Sequence, residues 1–136
     1  MKFRIEPLKE TDYDDFLVGW WESWGWEPPQ KDFLPEYGEG GICVFEDTVP
    51  ICAGFLYATN SGVAWVDWVV SNKEYRKKPH RQQAIGLLVE TLTNIAKNTG
   101  YKYSYALIKH KGLLSTYKTL GYIEGDKYTT EMIKAF

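Results

Sequence analysis

Cysteine is scarce in this sequence. Its 136 residues include two cysteines, Cys43 and Cys52, and neither a CxxC motif nor a paired His/Cys spacing occurs. We therefore predict no metal site. A hairpin that turns at Asp47 and Thr48 would place Cys43 directly opposite Cys52, where a disulfide is geometrically conceivable. A reducing cytosol favours two buried thiols instead.

Long apolar runs and a basic excess are also missing. No stretch approaches the ~20 apolar residues that a membrane-spanning helix needs, and the opening stretch MKFRIEPLKE has no apolar signal core. We therefore expect a cytoplasmic protein with no membrane partner. The formal net charge of −2 argues against a general nucleic-acid binder. The alternative that remains is a nucleic-acid-binding module that uses the basic loop 73–81.

The composition that is present is that of an ordinary globular protein. Hydrophobic residues make up 44% of the chain and charged residues 25%, so we predict one folded domain over residues 1–136. Apolar periodicity predicts, in order, a strand over 3–8, a helix over 13–24, a hairpin of strands over 41–47 and 49–59, a strand over 63–70, a helix from about Gln82 to Asn98, a strand over 102–108, a helix over 112–120 and a strand over 128–135. This order predicts a single-domain α/β fold, with a mixed, mostly antiparallel sheet flanked by helices on both faces.

Two short motifs stand at or within the predicted helices. The stretch RQQAIG, residues 81–86, follows EYR at 74–76 and opens the long helix. A helix N-terminus carries unpaired N–H groups and partial positive charge, so it attracts phosphate, and small residues there allow close approach. The alternative is an ordinary helix whose small residues pack against a strand. The second motif, TYKTLGY at 116–122, lies at the end of the last predicted helix.

In these motifs and in its order of elements, the sequence resembles the GNAT superfamily of acyl-CoA-dependent N-acyltransferases over nearly its whole length. The resemblance implies an enzyme with acetyl-CoA as co-substrate and no metal. It implies that a main-chain turn holds the coenzyme pyrophosphate, with charge from Arg81, the turn residues being Gln82, Gln83, Ala84, Ile85 and Gly86. It also implies that the main chain of Val69 and Val70 binds the pantetheine arm and the thioester carbonyl.

Three features depart from the family pattern. The loop between Arg76 and Arg81 is longer than in the compact pattern, and Ala84 replaces the middle glycine of the turn. His110 stands where the family commonly has an asparagine, seven residues before Tyr117. We expect weaker or reshaped coenzyme binding rather than none, with His110 bonded to the cofactor arm or acting as a base.

Two residues are candidates for the acid–base chemistry. Asp67 lies in the apolar stretch WVDWVV, on the face that alternation assigns to Trp65 and Val69. An ionised carboxylate there should not be buried without a partner, and a raised pKa would suit proton abstraction from an amine, directly or through water. The alternative is an acid at a cleft edge bonded to a neighbouring side chain. By the resemblance, Tyr117 is the general acid for the departing thiolate, and its alternative is a packing residue of an amphipathic helix.

The N-terminal tryptophans are candidates for binding the acceptor. By the same resemblance, Trp21, Trp24 and Trp26 lie in the region that usually shapes the acceptor pocket, although at least two of the four tryptophans between 20 and 26 are expected in the core. The predicted function is transfer of an acetyl group directly to an amine acceptor, a small molecule or a protein, in a ternary complex. The alternative is a non-catalytic binding module whose aromatic N-terminal face holds a protein partner. A homodimer is compatible with either function.

Overall fold

One five-stranded sheet organises the protein. The computed structural model describes residues 2–128 and 130–136. The strands follow one another in space as in sequence: β1 (Phe3–Pro7), β2 (Gly41–Glu46), β3 (Val49–Tyr57), β4 (Val63–Ser71) and β5 (Tyr103–Tyr105). The first three pairings are antiparallel, and β4 pairs with β5 in parallel. The predicted mixed, mostly antiparallel sheet is confirmed.

Helices cover both faces of this sheet, as predicted. A π-helical turn (Tyr13–Leu17) runs directly into α1 (Val18–Ser23), and two 3₁₀ turns, Lys31–Phe33 and Pro35–Gly38, lead into β2. The long helix α2 (Lys78–Thr99) ends at Gly100, whose φ of 109° fits the left-handed residue that terminates many helices. The short helix α3 (Lys111–Thr119) follows β5.

Two hydrophobic cores lie on opposite faces of the sheet. On one face, α2 and α3 bury their side chains against β2, β3 and β4, with Leu88 and Tyr117 almost fully buried. On the other face, Leu17 of the π-helical turn and Trp21 of α1 pack against the sheet. Gly54 in β3 brings α2 close to the sheet, because a Cβ there would lie 3.1 Å from Val69 and 3.2 Å from Leu92.

The β2–β3 hairpin turns at the predicted residues but with a different register. Cys43 lies opposite Ala53, and Cys52 lies opposite Val44, so the expected direct pairing of the two cysteines is wrong by one position. A register shift between Val44 and Phe45 accounts for the offset, since an extra residue on one strand displaces every later pair. Both cysteines are buried thiols.

Helix α2 begins a full turn before its predicted start at Gln82. Lys77 is its N-cap, and Pro79 lies in the first turn. Proline favours this position because the first turn needs no N–H donor there and its fixed φ is already helical. The unusual loop of the sequence is therefore in large part the first turn of α2.

The end of the chain differs from the prediction. A strand was expected over 128–135; Tyr128 and residues 130–135 form none, and Thr129 lies outside the described residues. Large apolar side chains between α3 and the end of the chain are exposed, among them Ile123, Met132 and Phe136. Over the described ranges, no helix has the length and apolar character required to cross a bilayer.

Candidate active site

The site is built where β4 and β5 stop pairing. Main-chain pairing between them covers three residue pairs and ends with Trp65 and Tyr105. Strand β4 continues to Ser71, while the chain after β5 runs without regular structure to His110, the N-cap of α3. We call the region between residues 66–71 and residues 106–110 the β4–β5 split. Parallel strands whose pairing ends in this way leave main-chain groups available to a ligand.

A bulge in β4 lies at the inner end of this split. The register of β4 against β3 changes between Ala53 and Phe55, so that β4 holds one extra residue there. Trp68 takes up the extra length with a φ of 56°, which is rare for a large side chain and costs free energy. Bulges of this kind redirect neighbouring side chains and are frequent beside active sites.

Asp67 connects the two sides of the split. Its Oδ1 accepts a hydrogen bond of 2.9 Å from the Trp68 N–H, and its Oδ2 accepts one of 3.4 Å from the Leu107 N–H. The carboxylate thus takes the position that the next main-chain hydrogen bonds between β4 and β5 would occupy. Burial, with a smaller contribution from the charge of Glu131, raises the pKa of Asp67 to about 6, although the two hydrogen-bond donors act in the opposite direction. A carboxyl group with this pKa is largely ionised at neutral pH and able to accept a proton.

The bulge also corrects the predicted face of Asp67. Val66 and Val69 belong to the same hydrophobic core, although they are three positions apart. Simple alternation would place them on opposite faces. Asp67, the neighbour of Val66, therefore does not share a face with Val69, and that prediction is wrong.

Tyr117 closes the inner end of the split from the α3 side. Its hydroxyl donates a 2.8 Å hydrogen bond to the Val66 carbonyl, the residue before Asp67. The side chain is 1% exposed and packs edge-on against Tyr122. Burial, with the nearby charge of Asp67, raises the pKa of Tyr117 well above its usual range. The hydroxyl is therefore a neutral donor at every physiological pH.

Aromatic rings bridge the outer end of the split. The Trp24 Nε1–H donates a 2.8 Å hydrogen bond to the carbonyl of Ser71, the last residue of β4. On its other side, the Trp24 ring meets His110 edge-on, 6.2 Å between centroids. Trp26 stacks against Trp24 at 6.0 Å and also contacts the His110 ring. We call Trp24, Trp26 and His110 the aromatic bridge.

Solved structures share this architecture. A glucosamine-6-phosphate N-acetyltransferase from Arabidopsis thaliana superposes with a TM-score of 0.66 at 12% identity, covering 98% of this chain and 100% of that one. The ribosomal-protein-S18-alanine N-acetyltransferase from Escherichia coli gives 0.68 at 14% identity, covering 92% and 80%. The protein TTHA1254 from Thermus thermophilus gives 0.70 at 17% identity, covering 99% and 98%.

The chain has the GNAT fold. At these identities the likeness establishes the fold alone. No protein-family model matches the sequence, and no curated protein matches it.

The GNAT fold makes the position of the RQQAIG motif informative. Since α2 begins at Lys78, residues Gln82 to Gly86 lie inside the helix, where main-chain N–H groups bond to carbonyls of the preceding turn. The expected pyrophosphate turn over Gln82, Gln83, Ala84, Ile85 and Gly86 is therefore corrected to helix interior. The helix start lies one turn earlier, where the N–H groups of Lys78 and His80 precede the first helical bond, from the Arg81 N–H to the Lys77 carbonyl.

Individual members of the motif serve different parts of the fold. Ala84 is fully buried in the core beneath α2, so its methyl group faces the sheet rather than a ligand. Gly86 has no atom within 4 Å of the place where a Cβ would stand, so packing does not require a glycine there. Arg81 points toward the split, where its guanidinium lies 5.6 Å from the centre of the Trp24 ring and donates to the Tyr75 carbonyl.

Val69 and Val70 differ in what they offer a ligand. The side chains of both are buried, so only their main-chain groups are available for the predicted contact. Asn72 N–H donates to Ile51 on the β3 side, whereas the Ser71 carbonyl accepts from Trp24 on the other side. Main-chain groups alternate between the two sides of a strand. Those of Val69 therefore share the side of Ser71 and face the split, and those of Val70 face β3.

The tryptophans divide between core and site. Trp20 and Trp21 are 7% and 1% exposed, which confirms that at least two of the four are core residues. The predicted contact of Trp21 with an acceptor is therefore wrong, because α1 turns that side chain into the sheet. Trp24 is half-buried and Trp26 is 37% exposed, so both remain accessible beside the split.

Several site residues were not singled out from the sequence. Ser71 and Leu107 act through main-chain groups, which no side-chain pattern indicates. Lys73, whose ammonium lies 5.0 Å from the Trp24 ring, was counted only as part of a basic loop. The N-cap role of His110, whose Nδ1 accepts from the Leu113 N–H at 3.3 Å, was signalled by its place just before a helical pattern.

Proposed function

We propose that the protein is an N-acetyltransferase that uses acetyl-CoA and transfers the acetyl group directly to an amine. The observation that carries this proposal is Asp67: a carboxyl group with a pKa of about 6, held across the β4–β5 split of a GNAT fold. A group of this kind accepts a proton at neutral pH while remaining largely shielded from water. The acetyltransferase activities named for the structures of like fold support the same reaction class.

In the proposed reaction, the neutral amine attacks the thioester carbonyl carbon. A C–N bond forms as the C–S bond breaks, and the sulfur leaves with the bonding electron pair. Asp67 accepts the proton that the amine loses, directly or through a water molecule. Tyr117 donates a proton to the thiolate and recovers one from solvent. The main chain of Val69 binds the pantetheine arm, and Arg81 and the first turn of α2 attract the coenzyme phosphates.

The pKa of Asp67 is lower than that of either common kind of acceptor amine. A lysine-type amine, with a pKa near 10.4, exceeds the Asp67 value by roughly four units, whereas an α-amine near 8 exceeds it by roughly two. Proton transfer to Asp67 is correspondingly less unfavourable from the α-amine. Because this difference between the two amines would be the same for any base, the proposed acceptor remains an amine on a small molecule or on a protein.

A second candidate function is a binding module without catalysis. The aromatic bridge favours it, since two indoles and an imidazole already occupy the outer end of the split. In that case the partly exposed Trp26 and its neighbours form the surface that a protein partner contacts.

Titration calorimetry with acetyl-CoA, followed by a thiol-release assay over a panel of amines, separates the two functions. The enzyme binds acetyl-CoA and releases free coenzyme A only when an acceptor amine is present. Burial raises the pKa of Cys43 to about 12 and that of Cys52 well above its usual range, so the protein's own thiols give little background. Binding without thiol release for any amine indicates the binding module, and no binding at millimolar acetyl-CoA contradicts the proposed enzyme.

A further inference from the structure

The aromatic bridge is held by an unusual set of contacts around one side chain. Trp24 donates to the Ser71 carbonyl, and its ring lies close to two cations, the Lys73 ammonium at 5.0 Å and the Arg81 guanidinium at 5.6 Å. Lys73 is itself anchored by a 3.2 Å hydrogen bond to the Ser23 carbonyl. Trp24 thereby links α1, the end of β4 and the start of α2.

The backbone that carries this side chain is firmly fixed. Trp24 caps the end of α1, and Gly25 follows with a φ of 78°. The Gly25 N–H bonds to the Glu22 carbonyl and the Trp26 N–H bonds to the Trp21 carbonyl, which is the pair of hydrogen bonds that closes a Schellman motif. Any movement of Trp24 is therefore a rotation of the indole rather than a displacement of the chain.

The Trp24 indole already bonds to a main-chain carbonyl that an acyl donor would need. Under the proposed function, the amide-containing arm of acyl-CoA lies along the split and bonds to main-chain groups of β4. The Ser71 carbonyl is on the side of β4 that faces the split, and Trp24 already supplies its donor. The Trp24 N–H takes the place of an amide N–H from the ligand, and its ring spans the passage from Ser71 to His110.

We propose that Trp24 is a gate on the acyl-donor channel, closed in the free protein and rotated away when acyl-CoA is bound. This inference rests on the proposed function. The closed position is stabilised by one hydrogen bond and two cation–π contacts, which together favour it over the open position by roughly tenfold. A ligand that binds only the open form has its affinity reduced by that same factor.

Calorimetric titration of acetyl-CoA into three variants and the wild-type protein tests the gate. Trp24→Ala removes the gate and binds about tenfold more tightly than wild type, while Trp24→Phe, which keeps a ring without the donor, gains less. Trp65→Phe is the matched control. Trp65 lies in the half of β4 that pairs with β5 and contacts Tyr105, so this substitution should leave the affinity for acetyl-CoA unchanged. Equal or weaker binding by Trp24→Ala overturns the gate. Absence of binding in wild type and in every variant overturns the proposed function, and the gate with it.

A measurement on the wild-type protein keeps the test independent of how well Trp24→Ala folds. In ¹H–¹⁵N spectra, the indole N–H signal that disappears in Trp24→Phe identifies Trp24. Saturation with acetyl-CoA shifts this signal strongly, because the bond to Ser71 breaks, and leaves the Trp65 signal nearly in place. A Trp24 signal that acetyl-CoA does not move contradicts the gate.

Discussion

The two ends of the β4–β5 split are built by different physical means. At the inner end, Asp67 and Tyr117 are fixed by hydrogen bonds to main-chain groups of β4 and of the chain after β5. At the outer end, Trp24 and His110 meet through ring contacts, and one hydrogen bond joins the Trp24 indole to the Ser71 carbonyl. Directed hydrogen bonds define one geometry, whereas ring contacts tolerate rotation. The inner end is therefore suited to chemistry and the outer end to admitting a ligand.

The most severe test of this contrast removes the proton acceptor at the inner end. Asp67→Asn keeps the size of the side chain and an oxygen for the Trp68 N–H, but it abolishes the base. We expect kcat/KM to fall by roughly 10²–10⁴-fold at pH 7.5, the usual contribution of a general base. In wild type, log kcat/KM rises more steeply with pH below about 6 than above it, following first the pKa of Asp67 and then that of the acceptor amine, and the variant lacks the inflection near 6.

A stability measurement on the same variant checks the pKa itself. The folded protein holds a proton on Asp67 up to about pH 6, above the ordinary value of 3.8. Between these values the folded state binds more protons at Asp67 than the unfolded state, so the contribution of Asp67 to the free energy of unfolding falls as pH rises from about 4 to 6 and is then constant. Asp67→Asn removes this slope, and Asp47→Asn, an exposed turn residue, is the control that retains it. An unchanged slope in Asp67→Asn excludes the raised pKa.

Tyr117→Phe tests the second group at the inner end with a smaller expected effect. Loss of the hydroxyl leaves the buried Val66 carbonyl without its donor and lowers the free energy of unfolding by about 1–3 kcal/mol. If Tyr117 also protonates the thiolate, kcat falls by roughly tenfold or more while the Kd for acetyl-CoA stays the same. Steady-state kinetics together with a urea titration separate the role of Tyr117 as a proton donor from its role as a packing residue. A variant with reduced stability and wild-type kcat has lost a packing residue only.

The sequence predicts the fold of this protein better than it predicts the β4–β5 split. Periodicity predicts the meander and both main helices, because long amphipathic patterns outweigh local detail. It also indicates Asp67, since an acid inside an apolar strand is conspicuous. It misses the bulge at Trp68, because an extra residue in a strand changes no composition. It also misses the role of Ser71, because a main-chain carbonyl is present at every position and no side-chain pattern marks this one.

The start of α2 has a signal in the sequence. Pro79 is well suited to a first helical turn and is compatible with a helix that begins at Lys78. The small residues Ala84 and Gly86 lie one turn further along and do not mark the start. For the start of this helix, the ordinary preference of proline is a better guide than the motif that carries the family resemblance.

The smallest expected effect concerns His110 at the outer end. Its Nδ1 accepts from the Leu113 N–H as the cap of α3, and its ring contacts Trp24 and Trp26. His110→Ala loses the cap and lowers the free energy of unfolding by about 1 kcal/mol, whereas His110→Asn keeps a good cap and stays near wild type. Both variants remove the ring that Trp24 faces, so both weaken the closed position and bind acetyl-CoA slightly more tightly. If asparagine restores stability yet acetyl-CoA binds more weakly to both variants, the imidazole contacts the coenzyme itself, and the outer end binds the ligand rather than merely admitting it.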